Sequence, residues 1–224
     1  MSSSTQPELL ELESTPPFSH LCAEERATLH HRLSVVEIPA GKYLITEGTP
    51  GAEMYFIVSG SIKVCSFRNG KEVILALLRP GEVVGDISLL CGGPRVADVV
   101  ALTNCRLFRC SKEDFEAHLL EFGGLALAML KNLALRVRSA SSRISDLALF
   151  DVTSRVARIL FEMSVPSEYD GSPAHVTHEP PTHQALASMI GSSREAVTRA
   201  LKELEKTKHI VIEENQIYVL SLPT

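Results

Sequence analysis

Arg194, Glu195, Thr198, Arg199 and Lys202 bring together the side chains with the clearest chemistry in the chain, on one helical face. An arginine can donate two parallel hydrogen bonds to O6 and N7 of guanine, and a glutamate can accept from N4 of cytosine. Grouped on the first turns of one helix, such residues can read base edges in the major groove of duplex DNA. The opposite face, Val197, Ala200, Leu201 and Leu204, is apolar at the spacing of a packed helix. Two plainer roles compete with base reading. Ser192 and Glu195 have the S-x-x-E spacing of a capping box, and Arg194 and Arg199 could be solvated surface charge.

The neighbouring sequence supplies elements to hold that face. Pro181 to Lys206 parses as helix, tight turn, helix. Thr182 caps a first helix with Leu186, Met189 and Ile190 inward, Gly191 ends it, and Ser192 and Ser193 open the second. Thr182, His183, Gln184 and Ser193 join the DNA-facing set. Ile210 to Leu220 reads as a β-hairpin turning at Glu214 and Asn215, a wing. Upstream lie a helix from Ser154 to Ser164 and a Pro/Ser/Gly/His loop from Val165 to Pro181. Further upstream, Ala126, Leu130, Leu133, Val137, Ala140, Ile144 and Leu147 recur at alternating spacings of four and three. That is a heptad seam, and it favours pairing with a second copy in parallel; a helix lying on its own domain carries a wider stripe. Leu125, Met129 and Leu135 lie off the seam and are available for packing on the N-terminal domain.

From Val35 to Arg109 short β-rich runs alternate with glycines at 41, 48, 51, 60, 70, 81 and 85, which predicts a compact antiparallel roll or barrel. The expected fold class is α+β, with a flexible arm at 1–17, a roll at 18–112, a dimerisation helix and hinge at 113–150 and a winged helix-turn-helix at 151–224. Hydrophobic residues make up 45% and charged residues 22% of the 224, ordinary for a globular chain. No apolar run reaches the ~18 residues of a membrane span, and Met1 to Glu13 has no apolar signal core, so a cytoplasmic location without membrane partners is expected. Five cysteines without a CxxC pair suggest neither disulfides nor zinc, and His175-x-x-His178 lies without further ligands in its loop, so no metal is expected. The net charge is −5, and from Asp151 onward seven Lys and Arg face ten Asp and Glu, a balance of −3. Any DNA binding must therefore come from locally arranged charge.

The sequence closely resembles the catabolite activator/FNR family of bacterial regulators from about Phe18 to Leu220. Three motifs carry the resemblance. They are Pro39-Ala-Gly41 with Glu47-Gly48 and Tyr55 to Gly60, then Gly85-Asp-Ile-Ser-Leu-Leu90 with Pro94-Arg-Val-Ala97, and Gly191 to Arg199. Phe150-Asp-Val-Thr153 is similar to the family hinge. The resemblance implies a homodimer whose Arg194, Glu195 and Arg199 read a palindromic operator with TGTGA-like half-sites, with RNA polymerase as a further partner. It also implies a cyclic nucleotide held between roll and dimer helix by Gly85, Asp86, Ile87, Ser88, Arg95, Val96, Arg136, Ala140 and Ser141. Physically, Gly85 and the N–H groups of the short helix after it can cradle a phosphate, Arg95 supplies charge, and Asp86 can accept from a ribose hydroxyl.

Three positions depart from the family's cyclic AMP pattern. Asp86 replaces a glutamate, a reach shorter by roughly 1.3–1.5 Å. Val96 replaces a Ser or Thr that bonds the phosphate, a loss of ~1.5–3 kcal/mol. Ala140 replaces a threonine that reads the adenine edge, while Ser141 beside it is kept. Cyclic AMP at reduced affinity, a cyclic dinucleotide such as cyclic di-GMP, and no effector at all are the alternatives. Two other classes compete with a DNA-binding regulator. A nucleotide-binding subunit without DNA binding leaves Arg194, Glu195 and Arg199 unused. For an enzyme, no G-x-S-x-G, P-loop or HExxH motif occurs; Asp86 and Glu82 near Arg95 could form an acid/base pair, but a phosphate-site role explains them with less.

Overall fold

The computed structural model describes residues 9–15, 17–68 and 70–223, and its chain divides into two compact units, Met1–Val137 and Arg138–Thr224. The α+β class is as expected. In the first unit two four-stranded antiparallel sheets form the roll. One runs β1 (Leu33–Ile38), β8 (Cys105–Ser111), β3 (Glu53–Ser59), β6 (Val83–Val84). The other runs β2 (Tyr43–Ile45), β7 (Asp98–Ala101), β4 (Ile62–Arg68), β5 (Lys71–Leu78). Ile57, Ile62, Val99 and Leu107 fill one core cluster of the roll. A second cluster gathers Phe18, Phe56 and Phe108; the ring centroids of the last two lie 4.7 and 5.9 Å from that of Phe18.

The arm expected at 1–17 is corrected where it is described. Leu9–Ser14 form a short helix, α1, with Leu12 fully buried and Glu11 gripping Arg106 by two hydrogen bonds of 2.8 and 3.1 Å. A Ser/Pro-rich composition hid a buried leucine and the ion pairs of Glu11 with Arg106 and Glu13 with Arg26; residues 1–8 and 16 lie outside the described residues.

After α2 (Ala23–His30) and the roll, two helices follow, α4 (Lys112–Glu121) and α5 (Gly124–Leu149), bent by 114° at their break. Among the described residues no single helix is long and apolar enough to cross a membrane. The break is fixed by a buried acid. The Glu25 carboxylate accepts from the Leu125 backbone N–H at 2.9 Å, satisfying one orphan donor at the start of α5. It also lies 3.4 Å from Nε2 of the fully buried His118. A side chain at Gly124 would put its Cβ 2.3 Å from that carboxylate, so the contact needs glycine for space.

Burial holds the His118 imidazole below the usual histidine value of 6.5, against the opposing pull of Glu25. The unfolded chain therefore binds a proton that the folded chain refuses. Stability is complete above pH 6.5 and falls as pH drops from there toward the folded value. Urea unfolding across that window should show His118→Gln losing this acid slope while Arg32 and Glu121, the other charges facing the ring, are kept. Parallel slopes in parent and variant would contradict the assignment.

In the second unit α6 (Val152–Met163), α7 (His183–Ile190) and α8 (Arg194–Lys206) pack on a four-stranded sheet. Its order is β11 (Ile210–Glu213), β12 (Gln216–Val219), β10 (Ser172–His178), β9 (Val165–Tyr169). The core joins Val156, Leu160, Leu186, Val197, Leu201, Leu204 and Ile217. The loop expected from Val165 is corrected. Most of it is the hairpin of β9 and β10, joined through Asp170 and Gly171 with φ of +49° and +72°. The wing strands β11 and β12 turn at Glu214 and Asn215 as expected.

Candidate functional site

Two sets of residues carry the chemistry, one in each unit. In the first, α3 (Asp86–Cys91) starts at Gly85, whose φ of +81° only glycine adopts freely. A Cβ there would also lie 2.7 Å from Nη1 of Arg95 and 2.9 Å from the Glu53 carbonyl. Arg95 is 6% exposed and donates from Nη1 to the Gly85 carbonyl at 3.0 Å and to Ser88 Oγ at 2.9 Å. Its guanidinium packs directly under Gly51, where an added Cβ would fall 1.9 Å from Nε. Asp86, 2% exposed, is paired with Arg136 from α5 at 2.6 Å.

These groups line a cavity of about 50 Å³ with Ile45, Val64, Leu78, Val84, Ile87, Val96 and Val99. That holds a water or two, whereas pockets for drug-sized ligands run to roughly 300–1,000 Å³. The apolar floor, two arginines and the start of α3 converge on one spot. The Asp86–Arg136 pair forms part of its wall. Val96 is more than half exposed at the rim. Ala140 and Ser141, placed with this set by the sequence, are exposed on the part of α5 that belongs to the second unit. Glu82 accepts from the Arg79 backbone N–H at 2.7 Å and is not among the residues that line this cavity with Asp86 and Arg95.

Gly51→Ala tests the grip on Arg95. Gly51 is not a positive-φ residue, so alanine suits the backbone and acts only by displacing the guanidinium. Overpacking of this kind costs about 1–3 kcal/mol. Urea unfolding should show that loss, and a change within error would mean that Arg95 is not held as described.

In the second unit the helix-turn-helix is built by its caps. Thr182 Oγ1 accepts from the Ala185 N–H at 3.2 Å, and Gly191 ends α7 with φ +63°. Ser193, and not Ser192, caps α8, its Oγ accepting from the Ala196 N–H at 3.2 Å. The capping box of Ser192 with Glu195 is thereby corrected, because the helix starts one residue later than that spacing requires. Glu195 is left exposed, as are Arg194, Arg199 and Lys202. His183 and Gln184 lie exposed on the first turn of α7. Thr198 donates to the Arg194 carbonyl at 2.9 Å and its oxygen stands 2.9 Å from Nδ1 of His183.

The seam residues of α5 are open to solvent. Leu130, Val137, Ile144 and Leu147 are 57–68% exposed and Leu133 is half-buried, whereas Leu125 and Met129 are buried in the first unit's core. Leu135, grouped with those two by the sequence, is instead exposed. Sequence reasoning missed Gly51, the Glu25–His118 pair, and Arg155 and Arg158 of α6. The last two join α6 to its neighbours through partners 35 and 12 residues away, a separation that no local pattern encodes.

Comparison with known proteins supplies the context. Residues 35–121 match the cyclic nucleotide-binding domain, and residues 154–224 match the Crp-like helix-turn-helix domain. The chain is 28% identical over 195 residues to a CRP-like cAMP-activated global transcriptional regulator of Mycobacterium tuberculosis, covering 86% of this chain and 87% of that protein. It is 33% identical over 196 residues to the global nitrogen regulator of Synechococcus elongatus, covering 84% and 86%. Among solved structures, a transcriptional regulator of the CRP/FNR family from Thermus thermophilus superimposes with a TM-score of 0.63 at 29% identity, over 84% of this chain and 94% of that one.

Proposed function

Because the chain belongs to the CRP/FNR family of transcriptional regulators, with its cyclic nucleotide-binding and helix-turn-helix domains, we propose that it is a homodimer whose operator binding is set by a cyclic nucleotide. Arg194, Glu195 and Arg199 of α8 read bases in each half-site. Thr182, His183, Gln184, Ser193, Thr198 and Lys202 contact the backbone or adjacent edges. Leu130, Leu133, Val137, Ala140, Ile144 and Leu147 pair the two copies. RNA polymerase is the further partner at promoters.

The observation that carries the effector half is Arg95. A buried guanidinium, seated between two glycines and facing the first turn of α3, is a costly arrangement whose natural counter-charge is a phosphate. The effector sits against Gly85, Asp86, Ile87, Ser88, Arg95 and Val96, with Arg136, Ala140 and Ser141 from α5. It has to part Asp86 from Arg136 to enter, so binding is coupled to a rearrangement at α5. Cyclic AMP is the first candidate, since relatives named as cAMP-activated cover most of the chain. The altered residues at Asp86, Val96 and Ala140 weaken the fit to cyclic AMP and leave a cyclic dinucleotide such as cyclic di-GMP, or no effector, as the competing readings.

Isothermal titration of the dimer with each nucleotide tests the reading. Micromolar binding of cyclic AMP that Arg95→Ala abolishes supports it. Val96→Thr, at an exposed position, should tighten cyclic AMP about 10- to 150-fold by restoring one hydrogen bond to a charged group. Heat from cyclic di-GMP alone assigns the second candidate. No heat from either nucleotide, with Val96→Thr equally silent, overturns the effector half.

A further inference from the structure

We propose that Arg158 is a positioning residue that locks the DNA-reading helices to the end of α5. Arg158 lies on α6, and its Nε stands 3.0 Å from Asp146 Oδ1 on the last turns of α5. The Asp146 side chain is only 13% exposed, and that of Arg158 is 34% exposed. The same guanidinium stacks over Phe150, its Cζ 4.6 Å from the ring centroid. Phe150 sits in the break between α5, which ends at Leu149, and α6, which begins at Val152. One side chain therefore grips both the helix before the break and the break itself.

Beyond the break, α6 is joined to both helices of the DNA-reading motif. Arg155 Nη1 donates to the Ile190 carbonyl at 2.8 Å, at the end of α7, and Thr153 Oγ1 donates to Glu203 of α8 at 3.0 Å. Val156, Leu160 and Val197 bury the interface between them. The orientation of α8 thus follows α6, and α6 follows α5 through Arg158. The inward face of α6 consists of Ser154, Val156, Ala157, Ile159 and Leu160, so Arg158 is outside the core and can be removed without unfolding it.

A dimer that spans two half-sites needs both copies of α8 at a fixed separation, whereas non-specific binding does not. The clamp therefore acts on operator affinity and leaves non-specific affinity alone. This rests on the reading of α8 as the operator-binding helix, and the experiment separates the two.

Fluorescence anisotropy on operator and random duplexes would compare Arg158→Ala, Asp146→Ala, the double variant and the exchange Asp146→Arg/Arg158→Asp. Hydrogen exchange at the Phe150–Val152 amides would be followed in parallel. Each single variant should lose about 5- to 30-fold in operator affinity, the span of one partly buried ion pair with a cation–π contact. The double variant should lose no more than the singles, and the exchange should recover most of the loss. Random-duplex affinity and the urea midpoint should stay put, while the break exchanges faster. Equal losses on both duplexes, additive losses, or unchanged exchange at the break would overturn the clamp. If the parent prefers no operator, the function proposed for α8 fails, and exchange at the break still decides whether Arg158 holds it.

Discussion

Replacing Arg194 and Arg199 together by alanine will lower operator affinity by roughly 30-fold to 10⁴-fold, with folding stability unchanged. Each bidentate arginine–guanine pair discriminates by about 1–3 kcal/mol, and every 1.4 kcal/mol is a factor of ten. The two side chains lie on the exposed face of α8, little more than one turn of helix apart. The core of the unit is carried by Val197, Ala200, Leu201 and Leu204 on the opposite face, so the substitution spares it. The acidic balance of this half of the chain sharpens the expectation. With ten Asp and Glu against seven Lys and Arg from Asp151 onward, little non-specific attraction remains to mask the loss. Anisotropy against operator and scrambled duplexes at one salt concentration checks it. Equal losses on both duplexes would make the arginines phosphate anchors and not base readers.

Placing aspartate at both Val137 and Ile144 will convert the dimer into monomers and abolish cooperative operator binding. Both positions are more than 60% exposed on α5 and belong to the seam, so neither substitution disturbs a core. In the paired helices each would bury an unpaired carboxylate, and uncompensated buried charge costs about 3–5 kcal/mol. Dimer dissociation should rise by at least ~10²-fold, as sedimentation equilibrium would show. A variant that stays dimeric at nanomolar concentration would place the dimer contact elsewhere than α5.

What the sequence made legible follows from the range of each interaction. The apolar face of α8, the Thr182 cap, the Gly191 terminus and the wing turn at Glu214 and Asn215 are set by neighbours within four residues, and periodicity exposes them. Ser193 rather than Ser192 as the cap is an error of one position, the usual uncertainty at a helix end. The β9–β10 hairpin is not legible although Asp170-Gly171 is a hairpin signal, because Pro166, Ser167 and Pro173 weaken both strands as a pattern. In the candidate site, the residues of the Gly85 to Val96 segment were found by motif. Their arrangement was not, since Arg95 under Gly51 and Asp86 against Arg136 join residues 44 and 50 positions apart. Glu25 and His118, 93 positions apart, left no trace in the sequence at all.

The measurement that bears most directly on the whole account is selection of bound duplexes from a random pool by the purified protein, with the Arg194→Ala variant alongside. The account predicts an enriched palindrome with half-sites about one helical turn apart, ~34 Å between centres, and a TGTGA-like half-site whose guanine preference relaxes in the variant. Enrichment of no sequence, or of a single unpaired half-site that Arg194→Ala leaves unchanged, would contradict it.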